Sequence, residues 1–208
     1  NNEAKRQKAV DSSLARKEWI LELTEDRKQE LKDGKVLDDN ILNRLILMQQ
    51  ETGNKWFDDD ALQRNVGGLL TGILETTNKA TILVLDELFN RPDVLKGAIE
   101  TAQNRDMKKM YGYVSEALRF NPAQPGVIRY SETKQTIKGK GDKVYNIPAK
   151  TTVFALTAAA MLDPAAFADP KTFNPERDSV YMSYGFGLHE CFGNHINAVT
   201  ISDFTAAV

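Results

Sequence analysis

From Ala61 to Asn90 the chain carries no proline, and Arg91-Pro92 closes the run. The stretch is apolar at Val66, Leu69, Leu70, Ile73, Leu74, Ile82, Leu83, Val84, Leu85 and Leu88. It predicts one long helix, ended by a proline that lacks the backbone donor to continue it. At a rise of about 1.5 Å per residue such a helix crosses about 45 Å, more than the diameter of a small domain. Apolar residues on nearly every side predict a helix that runs through the centre of a domain rather than along its surface. Its middle, GGLLTGILETTN, is rich in Gly and Thr. These are poor helix formers, and Thr hydroxyls that bond back to the preceding turn bend helices. A buried helix that weakens itself at its midpoint is expected to make room for something there.

The rest of the chain is organised around that helix. Asn1 to about Lys32 is charge-rich with a thin apolar stripe (Ala9, Val10, Leu14, Leu21, Leu31), the pattern of an exposed helix broken at KDGK. Asp38 or Asp39 is the expected cap of a second helix whose core face is Ile41, Leu42, Leu45, Ile46 and Met48. Asp58 to Asp60 open the long helix where its dipole favours acidic residues. Pro92 to Glu100 reads as a short helix and Asp106 to Phe120 as a longer one, with Met107, Met110, Val114 and Leu118 in helical spacing. VIRY, KQTIKGKGDKVYNIP and TTVFAL then read as short strands joined by glycine turns. LDPAAFADPKTFNPERD is proline-punctuated and irregular, and a last helix is expected from about Phe192 or Gly193. The fold class is mainly α with a small β-sheet (α+β), and 1–208 is expected to form a single partial domain. A long irregular stretch inside a compact domain is usually functional.

Composition narrows the function classes. The 208 residues carry a net charge of −2, so no whole-chain field draws the protein to nucleic acid or to anionic lipid. The longest apolar runs, ATILVL and VFALTAAAML, fall short of the ~20 residues of a membrane span. One cysteine excludes an internal disulfide, which fits a reducing compartment, and a cytoplasmic location is the expectation. The sequence begins at Asn1 without Met, the mark expected of a fragment, so an upstream anchor or signal would lie outside it.

That one cysteine lies in SYGFGLHECFGNHI, with both histidines of the chain, His189 and His195, close by. A lone Cys is usually a small buried hydrophobe. Zinc is a second reading of HECFGNH, but a structural site needs four ligands and there is no second Cys. A dinucleotide loop is a third, but the third glycine position is Glu190, no clear strand precedes it, and GxxxxGK[ST] is absent. The fourth reading is haem ligation by thiolate. A cysteine at the start of a helix has its thiolate stabilised by free backbone N–H groups and the dipole. Flanking glycines let the backbone pass close beneath a flat cofactor, and a cation two residues earlier can pair with a propionate. Gly187, His189, Cys191 and Gly193 supply that set.

YGFGLHECFG resembles the haem-thiolate loop of the cytochrome P-450 superfamily, with Tyr184 in the usual phenylalanine position. Three more matches follow in the family's order: GILETT resembles its acid–threonine motif, EALR its Glu-x-x-Arg, and FADPKTFNPER the segment whose arginine joins that pair. The resemblance runs over nearly all of the chain and is clearest from the long helix onward. It implies the C-terminal haem-binding portion of such a fold, incomplete at both ends. It implies haem b (iron protoporphyrin IX) with Cys191 as the proximal iron ligand, and Tyr184, Gly185, Gly187, Phe192 and Gly193 around it. Arg129 and His189 match positions that bind haem propionates, and His195 matches none. Glu116, Arg119 and Arg177 would form a structural ion triad, and Glu75 and Thr76 would pass protons to bound dioxygen. Two positions depart from the pattern: Ile73 where the family often has Gly, and Asn197 where it usually has a small apolar residue.

The activity implied is a haem-thiolate monooxygenase that inserts one oxygen atom from O2 into an apolar substrate. Electrons would come ultimately from NAD(P)H through a ferredoxin or a flavoprotein reductase. Two alternatives stand beside it: a hydroperoxide isomerase or peroxygenase acting on oxidised fatty acids, and a non-catalytic fragment of such an enzyme.

Overall fold

The computed structural model describes residues 2–139 and 141–208. Asn1, at the head of the first expected helix, and Lys140, in the glycine turn expected between two strands, lie outside the described residues. The chain divides into two compact units, Asn1–Glu75 and Thr76–Val208, with the boundary inside the long helix. Among the described residues no helix is long and apolar enough to cross a membrane.

The first unit holds α1 (Asn2–Lys32), α2 (Ile41–Thr52) and the start of α3 (Asp59–Phe89). α1 buries only Ile20 and Thr24, and Val10 and Leu14 on its stripe stay exposed. The cap of α2 is Asn40 rather than Asp38 or Asp39: its extended backbone directs the side chain to the Asn43 N–H at 2.9 Å. The two aspartates are engaged elsewhere. Asp39 pairs with Arg44 at 2.7 Å, and the Asp38 carbonyl accepts from Asn43 Nδ2 at 2.8 Å. Asp58 caps α3 by accepting the Ala61 N–H at 2.8 Å. Ile46, Phe57, Ala61 and Leu62 form the core of this unit, with Leu31, Leu42, Leu45 and Val66 packed around them.

In the second unit Ala80, Val84 and Leu88 fall four residues apart on α3 and meet α4 (Pro92–Gln103), α5 (Met107–Phe120) and α7 (Asn194–Ala207). Met110, Val114 and Leu118 of α5 and Ile201 of α7 complete that core. Burial of α3 differs from the expectation of a helix enclosed on all sides. One row is buried, while Leu74, Ile82 and Phe89 are 62%, 65% and 56% exposed. An apolar face is covered only where another element packs on it, and here the neighbours lie along one stripe. Nor does the Gly/Thr-rich middle break the helix. Thr71 and Thr81 bond back to the carbonyls of Gly67 and Thr77 at 2.9 Å, and α3 remains a single element.

The expected small sheet is two separate antiparallel ribbons, one nested in the other. β1 (Val127–Ser131) pairs with β4 (Thr151–Ala155), with Val127 opposite Ala155. β2 (Gln135–Lys138) pairs with β3 (Val144–Ile147). Bends at 132–134 interrupt the ladder between them. After β4 comes α6 (Thr157–Ala160), then turns without regular structure up to a single 3₁₀ turn, Gly187–His189.

That irregular segment lies directly against α5. A Cβ at Gly112 would stand 1.9 Å from the Pro175 carbonyl oxygen, a backbone atom that cannot swing aside. Gly112→Ala is therefore expected to destabilise the fold by about 3 kcal/mol, the scale of a severe overpacking. Urea denaturation is the check, and an unchanged midpoint would show that the segment is free to lift from the helix.

Candidate functional site

α5 is helical through a row of seven consecutive buried residues, Tyr113 to Arg119, that includes Ser115, Glu116 and Arg119. Residues i and i+3 share a helix face, so Glu116 and Arg119 point the same way, and both side chains are fully buried. The pair is bidentate: Arg119 Nε donates to Glu116 Oε1 at 2.7 Å and Nη2 to Oε2 at 2.8 Å. A guanidinium has five N–H donors, and the other three reach backbone carbonyls. Nη1 donates to Met161 O at 3.2 Å and Pro170 O at 2.7 Å, and Nη2 to Thr172 O at 3.2 Å.

The carboxylate is as fully engaged. Glu116 Oε1 also accepts from Arg177 Nε at 3.1 Å and from the Tyr181 hydroxyl at 2.9 Å, and Oε2 accepts from the Asn174 N–H at 2.8 Å. Arg177 continues outward to the carbonyls of Ala168, Asp169 and Thr172. Burial alone would push the Glu116 carboxyl up. The bond from Arg119, the Asn174 N–H and the Tyr181 hydroxyl outweigh it and hold the group below its ordinary 4.5. Burial and the neighbouring Glu116 charge push the Tyr181 phenol up, so it remains a donor. The phenyl rings of Phe120 and Phe167 lie 4.2 Å and 5.5 Å from the Arg119 guanidinium carbon, a cation–π setting.

From this buried centre the chain runs to the cysteine. The Met161 sulfur accepts from the Met182 N–H at 3.3 Å and the Ser183 hydroxyl at 3.7 Å. Two residues on, the Tyr184 carbonyl accepts the Cys191 N–H at 2.8 Å and closes the loop. Gly185 and Gly187 turn it with φ of +78° and +71°, a region that side chains rarely adopt. α7 follows after Gly193, with Asn194 N–H on the Cys191 carbonyl at 3.2 Å and Asn197 N–H on that of Gly193 at 2.8 Å.

Cys191 is exposed. Around it Phe186, Leu188 and Phe192 are 72%, 96% and 78% exposed, an apolar patch presented by a rigidly tied loop. His189 ends the 3₁₀ turn and is exposed, as is His195. Arg129 lies on β1, exposed, with Nη1 on the Ile128 carbonyl at 2.9 Å. Glu75 and Thr76 are adjacent and exposed on α3. Residues that sequence reasoning missed are Met161, Asn174 and Tyr181, which complete the buried centre, and Thr77, whose hydroxyl reaches Asn197 at 2.9 Å. Neither Tyr181 nor Met161 belongs to a motif, and no periodicity marks them. Their roles arise from contacts 65 and 42 residues away along the chain.

The donor set suits one kind of metal group. Among the described residues no group of three or more His, Cys, Asp and Glu could hold a bare ion. A haem brings four ring nitrogens of its own and asks the protein for an axial ligand. It is flat and largely apolar, and the exposed thiol with its ring of Phe186, Leu188 and Phe192 offers that ligand and that surface. Fold and site thus define a mainly helical protein that exposes one cysteine thiol among apolar side chains just before its last helix.

Comparison with known proteins carries the family. The Cytochrome P450 family profile matches residues 3–208. The chain belongs to the cytochrome P450 family, whose members hold haem through a cysteine thiolate. It is 25% identical over 211 residues to Cytochrome P450 71D18 of Mentha gracilis, covering 89% of this chain and 42% of that protein. The putative thioether synthase SgvP superposes with a TM-score of 0.75 at 22% identity, over 97% of this chain and 47% of its own. CalO2 gives 0.76 at 20% identity, over 97% and 46%. These two structures speak for the fold alone. The chain spans about two fifths of the length of the curated relatives it matches.

Two outcomes are expected from the buried centre and its neighbour. Glu116→Gln leaves two guanidinium groups without their anion and should cost about 3–5 kcal/mol in denaturant unfolding. The folded carboxyl lies below 4.5, so its stabilisation is present above that pH and is lost as pH falls through the lower folded value. Stability of the native sequence should thus drop on acidification below 4.5, and the Gln variant should show a flatter profile. The hydroxyl of Tyr184, by contrast, is buried without a partner. Tyr184→Phe should stabilise by about 1 kcal/mol, since an unpaired buried hydroxyl carries its desolvation cost unrelieved. A loss of stability on that change would reveal a partner for the hydroxyl.

Proposed function

We propose that the protein containing this chain is a haem-thiolate monooxygenase that inserts one atom of O2 into an apolar organic substrate. The observation that supports it most directly is the exposed Cys191 at the head of α7, set among exposed apolar side chains on a loop tied to a buried ion triad. Haem b bound there would supply the oxygen chemistry, with the second oxygen atom leaving as water on two electrons and two protons. Cys191 would hold the group through its sulfur, and the exposed Phe186, Leu188 and Phe192 would offer it an apolar surface and keep water from the sulfur. Arg129 and His189 pair with propionate charges. Glu75 and Thr76, exposed on α3, would hold water and supply protons to the oxygen chemistry. Glu116, Arg119 and Arg177 keep the loop in place without touching the cofactor.

The substrate is an apolar molecule such as a fatty acid, and the electrons pass from NAD(P)H through a ferredoxin or a flavoprotein reductase. The test is the reduced, carbon-monoxide difference spectrum of the haem-loaded protein and of Cys191→Ala. A red-shifted Soret band that is lost in the variant is the expected result. Its absence in a folded sample would overturn thiolate ligation. Turnover is then compared with O2 plus a reductase and with a fatty-acid hydroperoxide alone. Product from the hydroperoxide only would replace the monooxygenase with an isomerase or peroxygenase.

A further inference from the structure

Thr77 is 3% exposed on α3, and its hydroxyl donates to Asn197 Oδ1 on α7 at 2.9 Å, joining residues 120 apart. Thr71 and Thr81 on the same helix send their hydroxyls back to the carbonyl four residues earlier. That of Thr77 crosses between helices. The bond orients the amide. With Oδ1 turned to α3, Nδ2 is turned to the cysteine loop, where a Cβ on Gly193 would stand 3.6 Å from Nδ2 and 3.6 Å from Cys191 Sγ. Asn197 is also bound by its own N–H to the Gly193 carbonyl, in the first turn of α7. Asn197 is therefore held to α3 through its side chain and to Gly193, two residues past Cys191, through its backbone N–H.

The buried cluster that α3 and α7 share is apolar, with Ala80, Val84 and Leu88 beside Ile201. Apolar burial is non-directional and tolerates small slides of one helix along the other. A hydrogen bond is not so tolerant, because its strength falls steeply with distance and angle. We propose that Thr77 and Asn197 are positioning residues, a buried brace that fixes the first turn of α7, and with it the neighbouring Cys191 loop on which haem binding would depend, against α3. The proposal rests on the haem-thiolate reading above. It also gives a role to Asn197, which departs from the small apolar residue usual at this position of the family.

The experiment uses the full-length protein with Thr77→Val, Asn197→Ala, the double variant and Thr77→Ser. Two readouts are taken: haem transfer to excess apomyoglobin, and amide hydrogen exchange of 191–197 in the haem-free protein. Loss of one buried hydrogen bond should speed haem transfer by about tenfold in either single variant. The double variant should be no worse than the poorer single, and Thr77→Ser should restore the native rate. Exchange of the 191–197 amides should rise in the same variants. Ile201→Val, which loosens the same helix without touching the bond, should leave haem transfer unchanged. Additive effects, an unchanged transfer rate, or exchange that rises evenly along all of α7 would overturn the brace. If the native protein takes up no haem, the haem-thiolate reading falls, and the exchange data alone decide whether the brace exists.

Discussion

Burying Glu116 and Arg119 with no solvent exposure is the constraint on which the second unit depends. Charges taken out of water are tolerated only when every lone pair and proton finds a partner. Arg119 meets that demand by reaching the carbonyls of Met161, Pro170 and Thr172 with the donors Glu116 leaves over. Those carbonyls belong to a segment with no helix or ladder to satisfy them. Backbone polar groups away from water need partners of some kind, and here guanidinium groups take the place of secondary structure. The irregular course from Met161 to Arg177 is thus held as firmly as a strand would be, by three charged side chains and one phenol.

Order passes from that centre to the reactive end of the chain. Met161 takes part twice, its carbonyl under Arg119 and its sulfur under Met182 and Ser183. The next turn closes on Cys191 through the Tyr184 carbonyl. Two further bonds shape the loop, from the Gly185 N–H to the Met182 carbonyl at 3.1 Å and from the Glu190 N–H to the Gly187 carbonyl at 3.0 Å. Among what remains exposed are Phe186, Leu188 and Phe192, and exposed apolar side chains on a tied loop mark a surface meant to be covered.

A sequence is legible where one principle dominates and ambiguous where two compete. At the head of α2 three consecutive polar residues, Asp38, Asp39 and Asn40, offer the same capping chemistry, and only the backbone angle at Asn40 selects among them. The Gly/Thr-rich middle of α3 is poor in helix formers. Intrinsic propensity is a weak prior, and α3 runs as one element through it. The all-round apolar pattern of α3 predicted enclosure, but periodicity records which faces could be buried, not which have neighbours. Leu74 and Ile82 are apolar and exposed for that reason.

The sequence by itself determined the mainly helical class, the helix ends at Pro92 and Phe120, the common face of Glu116 and Arg119, and a lone cysteine between glycines at the start of a helix. These are local matters, set by φ restrictions, helical period and the chemistry of single residues. Only the tertiary structure decided that Tyr181 and the Asn174 N–H join the arginines on Glu116, that Met161 offers its sulfur to Met182 and Ser183, that β1 seeks β4 past an inserted hairpin, and that Thr77 meets Asn197. Each of these joins residues tens of positions apart. No local preference encodes such contacts, because they exist only once buried charge and apolar surface have forced distant segments together.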